Sequence, residues 1–566
     1  MKPLIIKLLK NALKKKGVDL KETEIENYLE IPPSPEMGDY SFPCFFLSEK
    51  FKESPDKIAS AVRAKIGKLP SGFEDIQTAG AYINFFLDRK ALARNLIKEI
   101  LEKKGNYGSP NLKKNKIMVE FSQPNTHKAF HVGHIRGTSL GESISRILEF
   151  AGNEVIRANY SGDTGMHIAK WIWCYNKYHS KEELKKDESW IASIYVDAVK
   201  RLAKNEKLQE QVDEINRKME NKSDKKINEL WKKTRSLSIE SWQKIYRQLN
   251  TFFDVHYFES EVEQKGKEIA EELLKKNIAK KSDGATIVDL QKYNLGVWVL
   301  LRKDNTVLYS AKDLALIQEK FSNKLDKSVY VVGAAQSLHM AQLFKTLELM
   351  KFPYVKNCVF IPFSEVRLPT GKMSSRTGEN ILYSDFIEEI TNYSKKEIKK
   401  RFPSIKKEEL ETRALKISIA AIKYSMLKQS SNRIITFKKE DALNFEGDTG
   451  PYLLYSYARA SSILKKANKR INKKFDINKL ESQEIELIKK LEQFKDIVLN
   501  ACNTLSPNVL ANYSYQLAQI FNEFYHNCPV IDSEEKEIFR ISLVKSFQYV
   551  LKNSLYLLGI DTIEEM

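Results

Sequence analysis

The strongest chemical signal in this 566-residue chain is four residues long: His131-Val132-Gly133-His134. They follow the apolar run KIMVEF and open the helix-like stretch HIRGTSLGESISRILEFAG. A helix N-terminus presents unpaired N–H groups and the positive end of the peptide dipole, and so attracts phosphate. Two imidazoles three residues apart share one face there and can donate to a polyphosphate. Gly133 between them leaves room for a flat base against the backbone. The bland reading, a pair of satisfied surface histidines, does not explain the strand-to-helix setting. A second signal is the basic loop Lys372-Met373-Ser374-Ser375-Arg376 after NCVFIPFSEVRLPTG. Such a loop can close on leaving pyrophosphate and stabilise charge that develops only in the transition state. Alone it says little. Glu120 ends KIMVEF, and Asp313 is expected to begin a helix after VLYS. Ligands of open α/β sheets sit beyond the carboxyl ends of the strands, and two carboxylates there suit the rigid donor fork of a guanidinium.

Positioning these groups needs a particular order of elements. From Lys116 short apolar runs alternate with helical stretches: KIMVEF, the HVGH helix, then EVIRANY. This is the signature of a doubly wound parallel sheet. A Lys- and Glu-rich helical insertion is expected over about 168–250. The alternation resumes with the hairpin ATIVDLQKYNLGVWVLLRKDNTVLYS, a helix near KDLALIQEKF, the strand SVYVVG, a helix near LHMAQLFKTLEL and the strand NCVFIPF. The expected fold class is therefore α/β. A Rossmann-type catalytic domain spans 111–385 and is split by the insertion; a small α+β domain occupies 1–110; a helical connecting region covers 386–445; an all-α domain fills 446–566.

Composition agrees with a folded, multi-domain chain, since 42% hydrophobic and 10% aromatic residues are too many for disorder. No run of about eighteen apolar residues occurs, so no membrane span is expected. Lys7 and Lys10 interrupt the N-terminal apolar stretch, and Ile5, Ile6, Leu9 and Leu13 fall on one helical face. That reads as an amphipathic helix of a cytoplasmic protein. Five scattered cysteines without a CxxC pair argue against a disulfide frame or a zinc ribbon, and no structural metal is expected. The net charge of +19 favours a polyanionic partner such as nucleic acid, although lysine-rich solvated faces would give the same figure.

HVGH and KMSSR together resemble the HIGH and KMSKS signatures of class I aminoacyl-tRNA synthetases, and the closer resemblance is to the arginyl-tRNA synthetase family. It is carried by VEFSQPNTHKAFHVGHIRGTSLGESISRILEFAGNEVIRANYSGDTG, LYSAKDLAL, VVGAAQSLHMAQLF and DTGPYLLYSYARASSI, and it runs from about Val119 to Met566. The resemblance implies activation of arginine by ATP with Mg²⁺, then transfer to the 2′-hydroxyl of the terminal adenosine of tRNA(Arg), by a chain expected to act as a monomer. It implies an arginine pocket of Glu120, Asn125, Tyr309, Asp313 and Gln336. His131, Gly133, His134, Lys372, Met373, Ser374 and Ser375 would meet ATP, with His339 as a further ATP contact. It makes the N-terminal domain an appended tRNA-contacting domain and the C-terminal one an anticodon-binding domain, with Tyr452, Tyr455, Tyr525 and Met566 at the tRNA. Aromatic faces suit splayed bases, while a core role for the tyrosines is the alternative. The basic run Lys465, Lys466, Lys469, Arg470, Lys473 and Lys474 is either a phosphate contact or a solvated face.

The chain departs from the pattern in places. Ser375 replaces the second lysine of KMSKS, and arginine enzymes lacking it are thought to use the lysine before HIGH, here Lys128. Thr164 and His167 stand where tryptophan and glutamine are usual, and Leu454 where glutamine is usual. Three alternatives stay open: another class I synthetase, a small-molecule nucleotidyltransferase, and a non-catalytic RNA-binding protein. The second does not need about 180 helical residues after the catalytic fold, and intact HVGH argues against the third.

Overall fold

The computed structural model describes residues 1–369, 382–467 and 479–566, together with Phe475 and Ile477. The expected KMSSR loop and Lys469–Lys474 lie outside the described residues. The chain forms two compact units. One comprises 1–104, 467–492 and 523–546; the other comprises 105–466, 493–522 and 547–566.

In the first unit the helix Lys2–Lys16 buries Ile5, Ile6, Leu9, Ala12 and Leu13, the stripe that its sequence period calls for. It packs with the helix Pro55–Ile66 over an antiparallel sheet ordered β1-β3-β2, with β1 at Tyr40–Pro43, β2 at Phe73–Ala79 and β3 at Tyr82–Leu87. Buried Asp39 accepts from the Leu87 N–H at 2.9 Å and pairs with Lys489 at 2.6 Å, so a segment far along the chain closes this unit.

The second unit is built on a five-stranded parallel sheet. Its strands are β4 (Lys116–Glu120), β5 (Glu154–Ser161) and β6 (Val255–Phe258), then, after an antiparallel sheet of β7 (Lys280–Ser282), β8 (Ala285–Asp289) and β9 (Val297–Leu301), β10 (Lys327–Gly333) and β11 (Cys358–Phe363). The order is β11-β10-β4-β5-β6. The chain winds outward from β4 through β5 to β6, then returns to add β10 on the other side of β4. The carboxyl ends of β4 and β10 therefore flank a topological switch point, where the crevice of such a sheet opens.

The expected strand, HVGH helix and strand order is present, as are the helical insertion, the hairpin of β8 and β9, and the helices after Asp385. Three details differ. The sequence reading has no counterpart of β6 or of the helix Glu259–Lys275 that follows it; four residues of strand between two long helices leave too little alternation to read. The helix expected to begin at Asp313 begins at Tyr309, so Asp313 stands one turn inside it. The connecting region is not wholly helical, because β13 (Ile435–Thr436) pairs in parallel with β12 (Val366–Arg367).

The helix Val132–Phe150 lies against the switch point and is buried from Ile135 to Leu148. A Cβ on Gly141 would sit 2.0 Å from the Phe121 ring, so only glycine permits this approach. The helix also buries charge. Glu142 accepts from Arg146 Nε at 2.6 Å and from Arg157 Nε at 3.1 Å, while Arg157 makes a two-pronged contact with Glu149 at 2.6 and 2.8 Å. Arg146 further donates to the carbonyls of Tyr556 and Asn250, and Ser143 to that of Leu557. Removing one member of a buried ionic network strands its partners. Glu142→Ala should cost about 3–5 kcal/mol of stability, whereas an exposed control such as Glu214→Ala, which loses only a surface pair with Lys218, should cost under about 1 kcal/mol. Urea unfolding of the two variants beside the parent chain is the measurement, and equal midpoints would remove the network from the account.

Candidate functional site

The loop from β4 to the HVGH helix carries three residues other than glycine in the left-handed region: Ser122 (φ 77), Gln123 (φ 53) and His127 (φ 62). Strain of this kind persists only where the surroundings over-determine the backbone. Here they do. The fully buried His127 ring bridges Thr126 Oγ1 (3.0 Å) and Thr234 Oγ1 (2.7 Å), and the backbone N–H of His127 donates to Ser238 Oγ at 3.1 Å. The Thr126 N–H donates to the Gly162 carbonyl at 3.0 Å. A side chain on Gly162 would meet Asn125 Oδ1 at 2.4 Å, so the loop after β5 closes on the first loop only as glycine. The loop is thus pinned to the insertion helix Lys225–Gln248 on one side and to the sheet on the other.

His131 caps the helix. Its Nδ1 accepts from the Gly133 N–H at 3.1 Å, and His134 Nδ1 accepts from the His131 N–H at 3.1 Å. An Nδ1 that accepts carries no proton, so both neutral rings keep their proton on Nε2. Burial, with a smaller contribution from Lys128, pushes His131 down to about 4; burial first, then His131 and Lys128, pushes His134 well below the usual imidazole range. The site therefore holds two neutral N–H donors, with ring centres 3.9 Å apart, at a helix N-terminus.

A cleft of about 740 Å³ opens at the switch point. Of the residues singled out from the sequence, Glu120, Asn125, His131, Gly133 and His134 line it from the β4 side. Tyr309, Asp313, Gln336 and His339 line it from the β10 side. Lys128 instead lines a neighbouring cavity of about 980 Å³ with Lys170, Tyr195 and Lys200, and the two cavities share Asn125, His131 and His134. The Lys128 ammonium stands 5.5 Å from the Tyr195 ring, and burial and Lys170 lower its pKa while Glu259 opposes them. The expected contacts of Lys372, Met373, Ser374 and Ser375 fall outside the described residues.

The two carboxylates differ. Glu120 is buried and already paired: Lys320, itself buried, holds Oε2, and Gln123 Nε2 donates to Oε1 at 2.8 Å. The expectation that Glu120 and Asp313 together await an external cation is thereby corrected, because the chain supplies a cation to Glu120. Asp313 accepts at Oδ2 from His339 Nε2 at 2.6 Å, and Oδ1 has no hydrogen-bond partner among the described residues. The sequence reading missed Tyr160 and Glu259, which also line the cleft. The buried Tyr160 hydroxyl has no hydrogen-bond partner among the described residues, as a group awaiting a ligand would not. Glu259 was missed with β6. Of the departures, Thr164 joins Lys312 (3.1 Å) to Glu259 (3.4 Å), His167 is held neutral chiefly by burial, and Leu454 is core.

Farther along, the Tyr452 hydroxyl accepts from Asn522 at 2.8 Å and its ring lies 5.6 Å from Tyr515. The Tyr455 hydroxyl accepts from Arg459 at 2.6 Å. Tyr452, Tyr455 and Met566 are half-buried in one unit, and Tyr525 is exposed in the other. Among the described residues one set, Cys174, His179 and Asp197, brings three possible metal ligands together. Arg201 pairs with Asp197 and Glu182 with His179, so protons and a guanidinium balance these charges without an ion.

Residues 96–438 match the catalytic domain described as "tRNA synthetases class I (R)", residues 453–566 the DALR anticodon binding domain, and residues 4–87 the arginyl tRNA synthetase N terminal domain. The arginine–tRNA ligase of Clostridium perfringens is 39% identical, with 98% of each chain covered. That of Clostridium acetobutylicum is 36% identical over 97% of this chain and 98% of its own. The arginyl-tRNA synthetase structure from Thermus thermophilus superposes with a TM-score of 0.80 at 27% identity, covering 100% of both chains.

The neutral histidines make stability depend on pH. Burial lowers His127 to about 3, against about 6.5 for a solvated imidazole. Below pH 6.5 the unfolded chain binds a proton that the folded chain refuses, so this contribution is present above pH 6.5 and is lost as pH falls toward 3. His127→Gln should therefore shrink the drop in thermal midpoint between pH 7 and pH 5. An unaltered drop would show that the His127 ring is not the group refusing the proton.

Proposed function

The chain belongs to the class I arginyl-tRNA synthetase family, and we propose that its cleft performs the arginine–tRNA ligase reaction with the groups just described. The arginine carboxylate attacks the α-phosphorus of ATP, giving arginyl-adenylate and pyrophosphate; Mg²⁺ arrives with ATP and offsets phosphate charge. The 2′-hydroxyl of the terminal tRNA adenosine then attacks the adenylate carbonyl, forming the ester and releasing AMP. No side chain becomes covalent, so catalysis rests on position and on donors that meet developing charge. The observation that carries this reading is the meeting, at one switch point, of a helix N-terminus with two neutral imidazole donors and a carboxylate that keeps one oxygen open.

In this reading Nε2–H of His131 and His134 meets the phosphates most strongly in the transition state. Asp313 Oδ1 takes the guanidinium, Tyr309 and Gln336 border it at the mouth, and Asn125 holds the α-amino or carboxylate group. Glu120, with Lys320 beside it, polarises the floor of the pocket. Lys128, reached across the shared wall of His131 and His134, supplies the cation that Ser375 does not. Lys372 adds charge from its loop. Tyr452, Tyr455, Tyr525 and Met566 serve the tRNA, and the enzyme works in the cytoplasm as a single chain. Among the described residues no helix is long and apolar enough to cross a membrane.

ATP–pyrophosphate exchange at saturating tRNA tests the pocket. Asp313→Asn should raise the arginine KM at least tenfold, by leaving the guanidinium without its charged acceptor, with little change in the ATP KM. An unchanged arginine KM removes Asp313 from the pocket. For Lys128, single-turnover adenylate formation is the readout. Lys128→Ala should slow it about a hundredfold, the size expected for one transition-state contact, and adding Ser375→Lys should recover part of the loss. Normal adenylate formation with slow transfer would assign Lys128 to the tRNA end instead.

A further inference from the structure

Three elements converge behind Asp313. Trp298 comes from β9, His339 from the helix Ser337–Leu349 and Asp313 from the helix Tyr309–Ser322. Trp298 and His339 are both buried, at 4% and 8% exposure. The indole Nε1 lies 3.3 Å from His339 Nδ1. An indole N–H can only donate, so Nδ1 must carry the lone pair and the ring proton must reside on Nε2. That proton points at Asp313 Oδ2, 2.6 Å away. The edge of Tyr309 meets the same imidazole, with ring centres 4.8 Å apart. Both ring nitrogens of His339 are thus in use, and neither is available to a nucleotide.

The charge of the donor matters as much as its direction. Lys320 holds Glu120 with a full positive charge and cancels it. A neutral imidazole fixes one oxygen of Asp313 and leaves the carboxylate its whole negative charge; Asp313 lines the cleft, and its second oxygen has no hydrogen-bond partner among the described residues. A guanidinium is distinguished from a neutral isostere by that charge, and from a flexible ammonium by the angle at which the carboxylate is presented.

We infer that the Trp298–His339 pair is the specificity-positioning device of the arginine pocket, aiming Asp313 without neutralising it. This rests on the reading that Asp313 receives the guanidinium. It assigns His339 to amino-acid selection and not to ATP.

The full-length enzyme carries the test, through ATP–pyrophosphate exchange at saturating tRNA, with citrulline, whose neutral urea has the shape of the guanidinium, as competitive inhibitor. His339→Leu should raise the arginine KM at least tenfold, leave the ATP KM within twofold and change citrulline inhibition less than threefold. His339→Gln, which returns an N–H near the Nε2 position, should stay within threefold of the parent. Trp298→Phe, which keeps the ring and loses the donor, should fall between them. An arginine KM unmoved by His339→Leu, a rise in the ATP KM in its place, equal weakening of arginine and citrulline, or a Gln variant as poor as Leu would each overturn the inference. Asp313→Asn separates the two claims. If it raises the arginine KM while His339→Leu does not, only the role of His339 falls; if it has no effect, the pocket reading itself fails.

Discussion

The close packing of one helix on the crossover of the parallel sheet is the constraint on which the site depends. Val132–Phe150 can approach β4 and β10 only because Gly141 has no side chain to strike Phe121. That approach delivers the N-terminus of the helix to the mouth of the crevice. It also buries three-quarters of the helix, so every polar group on it needs an internal partner. The Glu142, Arg146 and Arg157 network and the strained loop pinned by His127 follow from the same demand. The two imidazoles at the N-terminus of the helix are held by groups whose own positions are fixed elsewhere.

Within the cleft, neutrality is used selectively. His131 and His134 give up their charge to burial and keep directional donors. His339, with Nδ1 facing its indole partner, turns a single Nε2 donor toward Asp313. Glu120 is balanced by Lys320, while Asp313 keeps one oxygen without a hydrogen-bond partner among the described residues. The two helices that supply the β10-side residues face a donor-rich helix end across that crevice.

Much of this was legible in the sequence because the signals were local. A strand followed by His131, Gly133 and His134 at fixed offsets betrays the start of the helix Val132–Phe150, and the stripe Ile5, Ile6, Leu9 and Leu13 betrays the first helix. What escaped was non-local. β6 is four residues long, and Glu259 enters the cleft only because that strand joins the sheet edge. Lys320 lies 200 residues from Glu120, so no spacing rule announces that the carboxylate is already paired. Lys128 reads as a neighbour of His131, yet its side chain turns through the loop into the adjoining cavity. Periodicity and motif report what a segment becomes; which charges neutralise one another is decided by tertiary contact.

The hydrogen bonds from Ser143 and Arg146 to residues 557 and 556 span 414 and 410 positions of sequence. A ribosome adds on the order of 5–20 residues per second, so the helix emerges tens of seconds before the carbonyls that complete it. Through that interval Arg146 has Glu142 of its own helix as a partner but lacks the Tyr556 carbonyl, and Ser143 lacks that of Leu557. The contacts of this helix cannot be complete until the last described helix, Glu537–Leu557, has been made, and a fragment released before it would lack them. Long-range closure of this kind slows folding; here it also delays the appearance of a competent active site until synthesis is nearly over.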